Sequence, residues 1–192
     1  MTSLFDRIAS SGLTLDPGVL EDVLSLAVEL AREGREGRKV GTIFMVGDSE
    51  AVLEQSRPLI LDPLHGHPPE AKRLDDPDAR ETLKELSLLD GAFVISADGI
   101  ALSAARYLYA DAAKIDLPLG LGARHVAAAG MSARTQALAV VVSESSMIRI
   151  FRGGDLVAEI VPELWMLSRR ALHLQRPYQE QRGEDMAVFT RS

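Results

Sequence analysis

The chain contains no cysteine, which excludes disulfides, thiolate nucleophiles and zinc held by cysteine sulfur. It also lacks any apolar run approaching the ~20 residues needed to cross a bilayer. Its first residues, Met1-Thr2-Ser3-Leu4-Phe5-Asp6-Arg7, have neither the basic start nor the apolar stretch of a secretory signal. These absences lead to the expectation of a soluble, cytoplasmic protein without a membrane partner. A basic excess is missing too: 21 Lys and Arg stand against 28 Asp and Glu, giving a net charge of -7. A nucleic-acid groove needs a net basic surface, so no nucleic-acid partner is expected. Nucleotides stay open, because a few local arginines and a metal ion can offset a triphosphate. Neither a Gly-x-Gly-x-x-Gly fingerprint nor a Walker Gly-Lys-Ser/Thr is present, which disfavours the dinucleotide and P-loop mechanisms.

What is present fits one globular domain. The 192 residues are 46% hydrophobic, enough for a single buried core. From Pro17 to Arg32 apolar residues recur at helical spacing, and Asp16-Pro17 fits an N-cap followed by a first-turn proline. The mixed-charge run from Glu33 to Lys39 reads as a solvated helix end and loop; a phosphate-binding role for Arg35 or Arg38 is the weaker reading. Val40 to Val46 reads as a buried strand, Pro58 to Leu61 as a short strand, and Asp62 to Pro69 as a proline-rich loop. His65 and His67 lie on that loop without a cysteine nearby, which makes them weak evidence for a metal site. Asp78 to Leu88 reads as a helix with Leu83, Leu86 and Leu88 inward.

Two hairpins follow from turn chemistry. Asp98-Gly99 lies between the apolar runs Ala92–Ile95 and Ile100–Leu102, and glycine takes a positive φ without strain. Arg152-Gly153-Gly154-Asp155 separates Met147–Phe151 from Leu156–Ile160 in the same way. The alanine-rich stretch from Gly122 to Arg134 reads as a helix, Leu138 to Val142 as a central strand, Pro162 to Leu174 as a closing helix, and Gln175 to Ser192 as a loose polar tail. The expected fold is therefore α/β, a single domain with a mixed, twisted central sheet flanked by helices. The expected divisions are a helical segment at 1–36 packing on the domain, a nucleotide-binding domain at 37–163, and a C-terminal helix and polar tail at 164–192.

Three polar groups sit at the edges of apolar runs, where a rigid scaffold holds functional side chains on its loops. Asp90 precedes Gly91 and Ala92 at the start of a strand; it suits a divalent metal or a ribose hydroxyl, or simply a turn. Arg124 and His125 follow Gly122 and Ala123 at a helix N-terminus, where free N–H groups and the helix dipole favour phosphate. The arginine adds a planar donor fork, and the histidine a hydrogen bond or a metal ligand. Their alternative is a surface ion pair and a helix cap. Ser143 and Glu144 end a strand, suited to a phosphate contact and a metal site, or to an ordinary loop start.

Taken together, Asp90-Gly91-Ala92 and Gly122-Ala123-Arg124-His125-Val126 resemble the Asp-Gly-Ala and Gly-Thr-Arg-His-Arg motifs of the diadenylate cyclase (DAC) domain. The resemblance runs from about Val40 to Pro162. It is closest to the archaeal-type branch, with Pro63-Leu64-His65-Gly66-His67 in the loop and Leu88-Leu89-Asp90-Gly91-Ala92-Phe93-Val94-Ile95 around the first motif. The chain departs from the family wording at Ala123 for threonine, Val126 for the second arginine and Ser145 for a second glutamate. A small or apolar residue at 126 resembles the archaeal-type pattern.

The resemblance implies a DAC-like fold and a reaction that joins two ATP molecules into cyclic di-AMP with release of two pyrophosphates. It implies self-association, at least a face-to-face dimer. Among the residues it implies, Asp90, Arg124 and His125 are catalytic. Gly91, Ala92, Leu108, Gly122, Ala123, Ser143 and Glu144 bind nucleotide, with Leu108 where the family contacts adenine. Asp90, His125 and Glu144 are the candidate ligands of a divalent Mg, Mn or Co ion. The alternative is a catalytically inactive sensor of nucleotides or cyclic dinucleotides, motivated by the three departures; a structural partner that uses only its dimer surface is a further reading.

Overall fold

A computed structural model describes residues 14–16, 18–109 and 117–163, together with the backbone of residues 178–182 and 187–191. Residues up to Pro162 belong to one unit and Glu163–Ser192 to a second.

The first unit is built on seven strands: β1 (Thr42–Val46), β2 (Ser56–Pro58), β3 (Ala92–Ile95), β4 (Ala101–Leu108), β5 (Leu138–Val142), β6 (Ile148–Arg152) and β7 (Asp155–Ile160). They form one sheet in the order β2-β4-β3-β1-β5-β6-β7. Only β1 and β3 run parallel; the other pairs are antiparallel. The sheet is thus mixed, as the two hairpins in the sequence require. Every residue of β1, β3 and β5 is buried, so these central strands are covered on both faces.

Helices supply the two covers. Helix α1 (Val19–Glu33) buries a broad apolar stripe that includes Leu20, Val23, Leu24, Ala27 and Leu30, and it packs against β5 and β6. Alternation along the strands puts Phe44 and Phe93 on one face, where their rings stack with centroids 5.1 Å apart. On the other face Ile43, Met45, Ala139, Val141 and Phe151 pack with Ala128, Ala129 and Met131 of helix α4 (Ala123–Arg134). Two shorter helices, α2 (Ser49–Glu54) and α3 (Pro77–Leu86), and a 3-10 turn (Pro69–Lys72) complete the unit.

Several local expectations are corrected. Helix α1 is not capped by Asp16: it begins after Gly18, whose backbone is left-handed, and no side chain caps it. Pro17 lies outside the described residues. The short strand is Ser56–Pro58 rather than Pro58–Leu61, because Ser56 and Pro58 pair with Leu108 and Arg106 of β4. Leu59 to Leu61 is exposed instead. Leu88 is 40% exposed rather than inward, since α3 ends at Leu86. Arg35 is engaged by carboxylates, as the solvated helix-end reading allows: its Nε donates to Glu85 Oε1 at 2.7 Å and it pairs with Glu81, tying the end of α1 to α3.

The second unit holds an antiparallel pair, β8 (Tyr178–Arg182) and β9 (Ala187–Arg191), with Tyr178 opposite Arg191 and Arg182 opposite Ala187. The tail is therefore not loose throughout. The expected helix from Pro162 to Leu174 lies outside the described residues beyond Glu163.

Candidate functional site

The register of the sheet lays down the floor of a cleft. Reading across all seven strands, Pro58 pairs with Arg106, Arg106 with Ala92, Ala92 with Ile43, Ile43 with Val141, Val141 with Arg149, and Arg149 with Glu159. One row thus has an apolar centre, Ala92-Ile43-Val141, and an arginine on each side. Four strand spacings separate the two arginine backbones, roughly 19 Å. Above this row opens a cleft of about 960 Å³. It lies at the amino ends of β1 and β3 and under the N-terminus of α4.

Asp90 reaches the cleft from the turn before β3, with its side chain 90% exposed. The turn depends on Gly91, whose φ is +106°. A Cβ at Gly91 would come within 2.7 Å of the Ala105 carbonyl carbon and the Arg106 nitrogen. Those atoms belong to a bulge in β4: the register slips between Ala92–Arg106 and Val94–Ser103, and Ala105 itself has a φ of +51°. The extra residue bends β4 and carries Arg106, Tyr107 and Leu108 to the cleft wall.

Arg124 stands between two carboxylates. Its Nη1 donates to Glu144 Oε1 at 2.8 Å and its Nη2 lies 3.6 Å from Asp90 Oδ1. Gly41, just before β1, makes room for it; a Cβ there would lie 2.7 Å from Arg124 Nη1. Glu144 and Ser143 are presented by the turn after β5. In that turn Ser143 N–H donates to the Met147 carbonyl at 2.9 Å, and the Ser143 and Ser145 hydroxyls are 2.9 Å apart. No side chain caps α4 at Gly122, so its first N–H groups have no side-chain acceptor.

His125 is 7% exposed. Its ring packs edge-on against Phe151, with centroids 6.1 Å apart. Its Nε2 lies 3.3 Å from Arg149 Nη1. Arginine only donates, so Nε2 accepts and the ring proton sits on Nδ1, a buried atom without a partner. Burial first and the Arg149 charge second hold the imidazole below its ordinary value, with Arg124 adding to them and the backbone hydrogen bond at Gly122 opposing.

Of the ten residues singled out from the sequence, nine line the cleft; Ala92 is fully buried beneath it, in the floor row. The proposed metal trio is not brought together: no cluster of three or more His, Asp or Glu suited to a metal occurs among the described residues. Asp90 and Glu144 offer exposed carboxylate oxygens, the donor type a hard divalent cation takes, and both face the Arg124 guanidinium. His125 does not fit, because a guanidinium faces its Nε2. His65 and His67 are exposed and belong to no such cluster.

Sequence reading missed Gly41, Arg106 and Arg149. The visible signal for Arg149 was a lone cation between Ile148 and Ile150 in a strand, but its place depends on register. Arg106 donates to the Leu53 and Ser56 carbonyls, both at 2.9 Å, and to Ser56 Oγ at 3.1 Å. It braces the wall, and burial lowers its pKa.

Residues 29–156 match the DAC family model, described as DisA bacterial checkpoint controller nucleotide-binding. The chain belongs to the DAC family. It is 43% identical over 166 residues to a diadenylate cyclase of Haloferax volcanii, covering 85% of this chain and 60% of that protein. It is 46% identical over 144 residues to a diadenylate cyclase of Methanocaldococcus jannaschii, covering 74% of this chain and 45% of that protein. Both relatives are archaeal, consistent with the archaeal-type wording of the motifs. The chain thus spans about half the length of these curated relatives. Among solved structures, it is similar to a hypothetical membrane-spanning protein from Bacillus cereus, with TM-score 0.56, 21% identity and coverage of 79% of this chain and 67% of that one. It is also similar to DacA from Staphylococcus aureus, with TM-score 0.51, 23% identity and coverage of 78% and 91%. These two likenesses concern the fold. Among the described residues, no helix is long and apolar enough to cross a membrane.

Proposed function

We propose that this chain is a diadenylate cyclase of the nucleotidyltransferase type, condensing two ATP into cyclic di-AMP and two pyrophosphates. The observation that carries the reading is the convergence of Asp90, Arg124 and Glu144 over one apolar-floored cleft at the uncapped N-terminus of α4, in a chain of the DAC family.

In this reading Ile43, Leu59 and Leu108 take the adenine at the apolar part of the cleft. Gly91 and Gly122 let backbone approach the nucleotide, with Ala92 beneath and Ala123 beside it. Arg124, the first N–H groups of α4 and Ser143 hold the phosphates, and His125 adds its imidazole to that wall. Asp90 accepts a hydrogen bond from the ribose 3′-hydroxyl and takes its proton. The 3′-oxygen of one ATP forms a bond to the α-phosphorus of the other. The bond from that phosphorus to the bridging oxygen breaks, and pyrophosphate leaves with the electron pair. A second such step, with the roles exchanged, closes the ring. Asp90 and Glu144 would hold a divalent ion, which would supply charge neutralisation for the triphosphate when bound; Mg, Mn and Co all accept such oxygens.

The cleft of one subunit holds one ATP, so the reaction takes two copies facing each other across a two-fold axis. Residues 37–163 are the catalytic portion, with helix α1 packed on its sheet; the setting is the cytoplasm. Pyrophosphate release tests the reading. With ATP and Mn²⁺, one pyrophosphate per ATP consumed is expected. ATP binding without any release would contradict it and leave a nucleotide sensor, the reading that Ala123, Val126 and Ser145 favour.

A further inference from the structure

The cleft carries three arginines, and they are not equivalent. Arg124 is engaged by two carboxylates. Arg106 is turned to the backbone of Leu53 and Ser56. Arg149 lines the cleft from β6 with its side chain 16% exposed. Its Nε donates to Glu159 Oε1 at 2.7 Å and its Nη1 points to the accepting Nε2 of His125. A guanidinium has five N–H donors; two are used by these contacts among the described residues, which leaves three. Glu159 and the cross-strand pairing fix the stem, so the fork is held before any ligand arrives. Val126, on the wall of the same cleft, is an apolar residue at the position where the motif it resembles has a second arginine.

We propose that Arg149 is a polyphosphate-binding residue of this cleft, supplying from β6 the guanidinium that position 126 lacks in α4. The inference rests on the cyclase reading for the identity of its ligand, a nucleoside triphosphate and the pyrophosphate it releases. The contact of Nη1 with the His125 ring at 3.3 Å holds the guanidinium from a second side. An arriving phosphate therefore meets a pre-aimed fork rather than a mobile surface arginine, and an arginine–phosphate contact of this kind is charge-assisted and directional.

Calorimetric titration of the full chain with pyrophosphate, ATP and adenosine, each with Mg²⁺, tests it. Arg149→Met is expected to weaken pyrophosphate and ATP about tenfold and to leave adenosine unchanged. Arg149→Lys, which keeps the charge and loses the fork, should recover only part of the affinity, and Val126→Arg added to Arg149→Met should restore part of it. Unchanged pyrophosphate and ATP affinities in a folded Arg149→Met overturn the proposal, and so does an equal loss for adenosine, which marks a structural effect. Should Arg149→Met fail to fold, Glu159→Gln decides: it loosens the stem that aims the fork, so pyrophosphate and ATP should weaken severalfold while adenosine holds, and unchanged pyrophosphate and ATP affinities overturn the proposal. Product formation by the unaltered chain judges the cyclase reading separately. A chain that makes no cyclic product, yet loses pyrophosphate affinity with Arg149→Met, keeps this inference and loses that one.

Discussion

Arg124 holds two carboxylates at once, and the space that lets it do so is set by the missing side chain at Gly41. A methyl group there would meet the guanidinium, the flexible end of a side chain, rather than backbone. Gly41→Ala should therefore leave thermal stability close to that of the parent while shifting Arg124 off Glu144. The expected result is a drop in ATP affinity of about tenfold, read by titration; unchanged affinity would show that the pair is not positioned from that side. His125 gives a pH prediction. Its folded-state pKa lies below the ordinary imidazole value of 6.5, chiefly through burial. The unfolded chain takes up a proton near that pH and the folded protein refuses it. The contribution is nil above about 6.5, and stability falls as pH drops below it, by at most ~1.4 kcal/mol per pH unit. Urea midpoints between pH 7.5 and 5 should fall less steeply for His125→Gln than for the parent; parallel slopes would contradict the burial of the ring.

The loop before β3 and the bulge in β4 are one packed device. Gly91 has a positive φ, and the space where its Cβ would sit is filled by Ala105 and Arg106 backbone, which cannot swing away as a side chain can. Gly91→Ala should cost about 2–3 kcal/mol, measured by urea unfolding, and should move Arg106 to Leu108 at the cleft wall. A neutral substitution would mean that the bulge is not held by this contact. The same elements show what the sequence made legible. Asp98-Gly99 and Gly153-Gly154 announced their hairpins because turn chemistry is local. Helix α4 and strand β5 were readable from unbroken composition, and Asp90, Arg124 and Glu144 from their positions at element ends. The bulge at Ala105 carries no local signal, since alanine is an ordinary strand residue and its left-handed backbone is imposed by its neighbours. Arg106 and Arg149 were missed for a related reason: their meeting over one floor depends on the register of five strands, and register is a tertiary property. The cap of α1 was misplaced because Asp-Pro and Gly18 compete for the same role.

At the scale of the whole molecule, the open side of the cleft matters most. Asp90 is 90% exposed and Glu144 62% exposed, so the groups that would meet a reacting hydroxyl face outward rather than into a closed pocket. In the proposed reaction a second copy closes over them and brings the second nucleotide. Specific activity should then rise with protein concentration until the subunits are fully associated. A dilution series followed by light scattering and product yield checks this, and activity independent of concentration in a monomer would contradict it. Turnover of ATP to a cyclic dinucleotide in this cleft is tested by incubating the full chain with ATP and Mn²⁺, with products identified by mass spectrometry and Asp90→Asn run in parallel. Cyclic di-AMP is expected from the parent chain and none from the folded Asp90→Asn variant. Absence of the product from folded, self-associated protein across Mg²⁺, Mn²⁺ and Co²⁺, or equal product from Asp90→Asn, would contradict it.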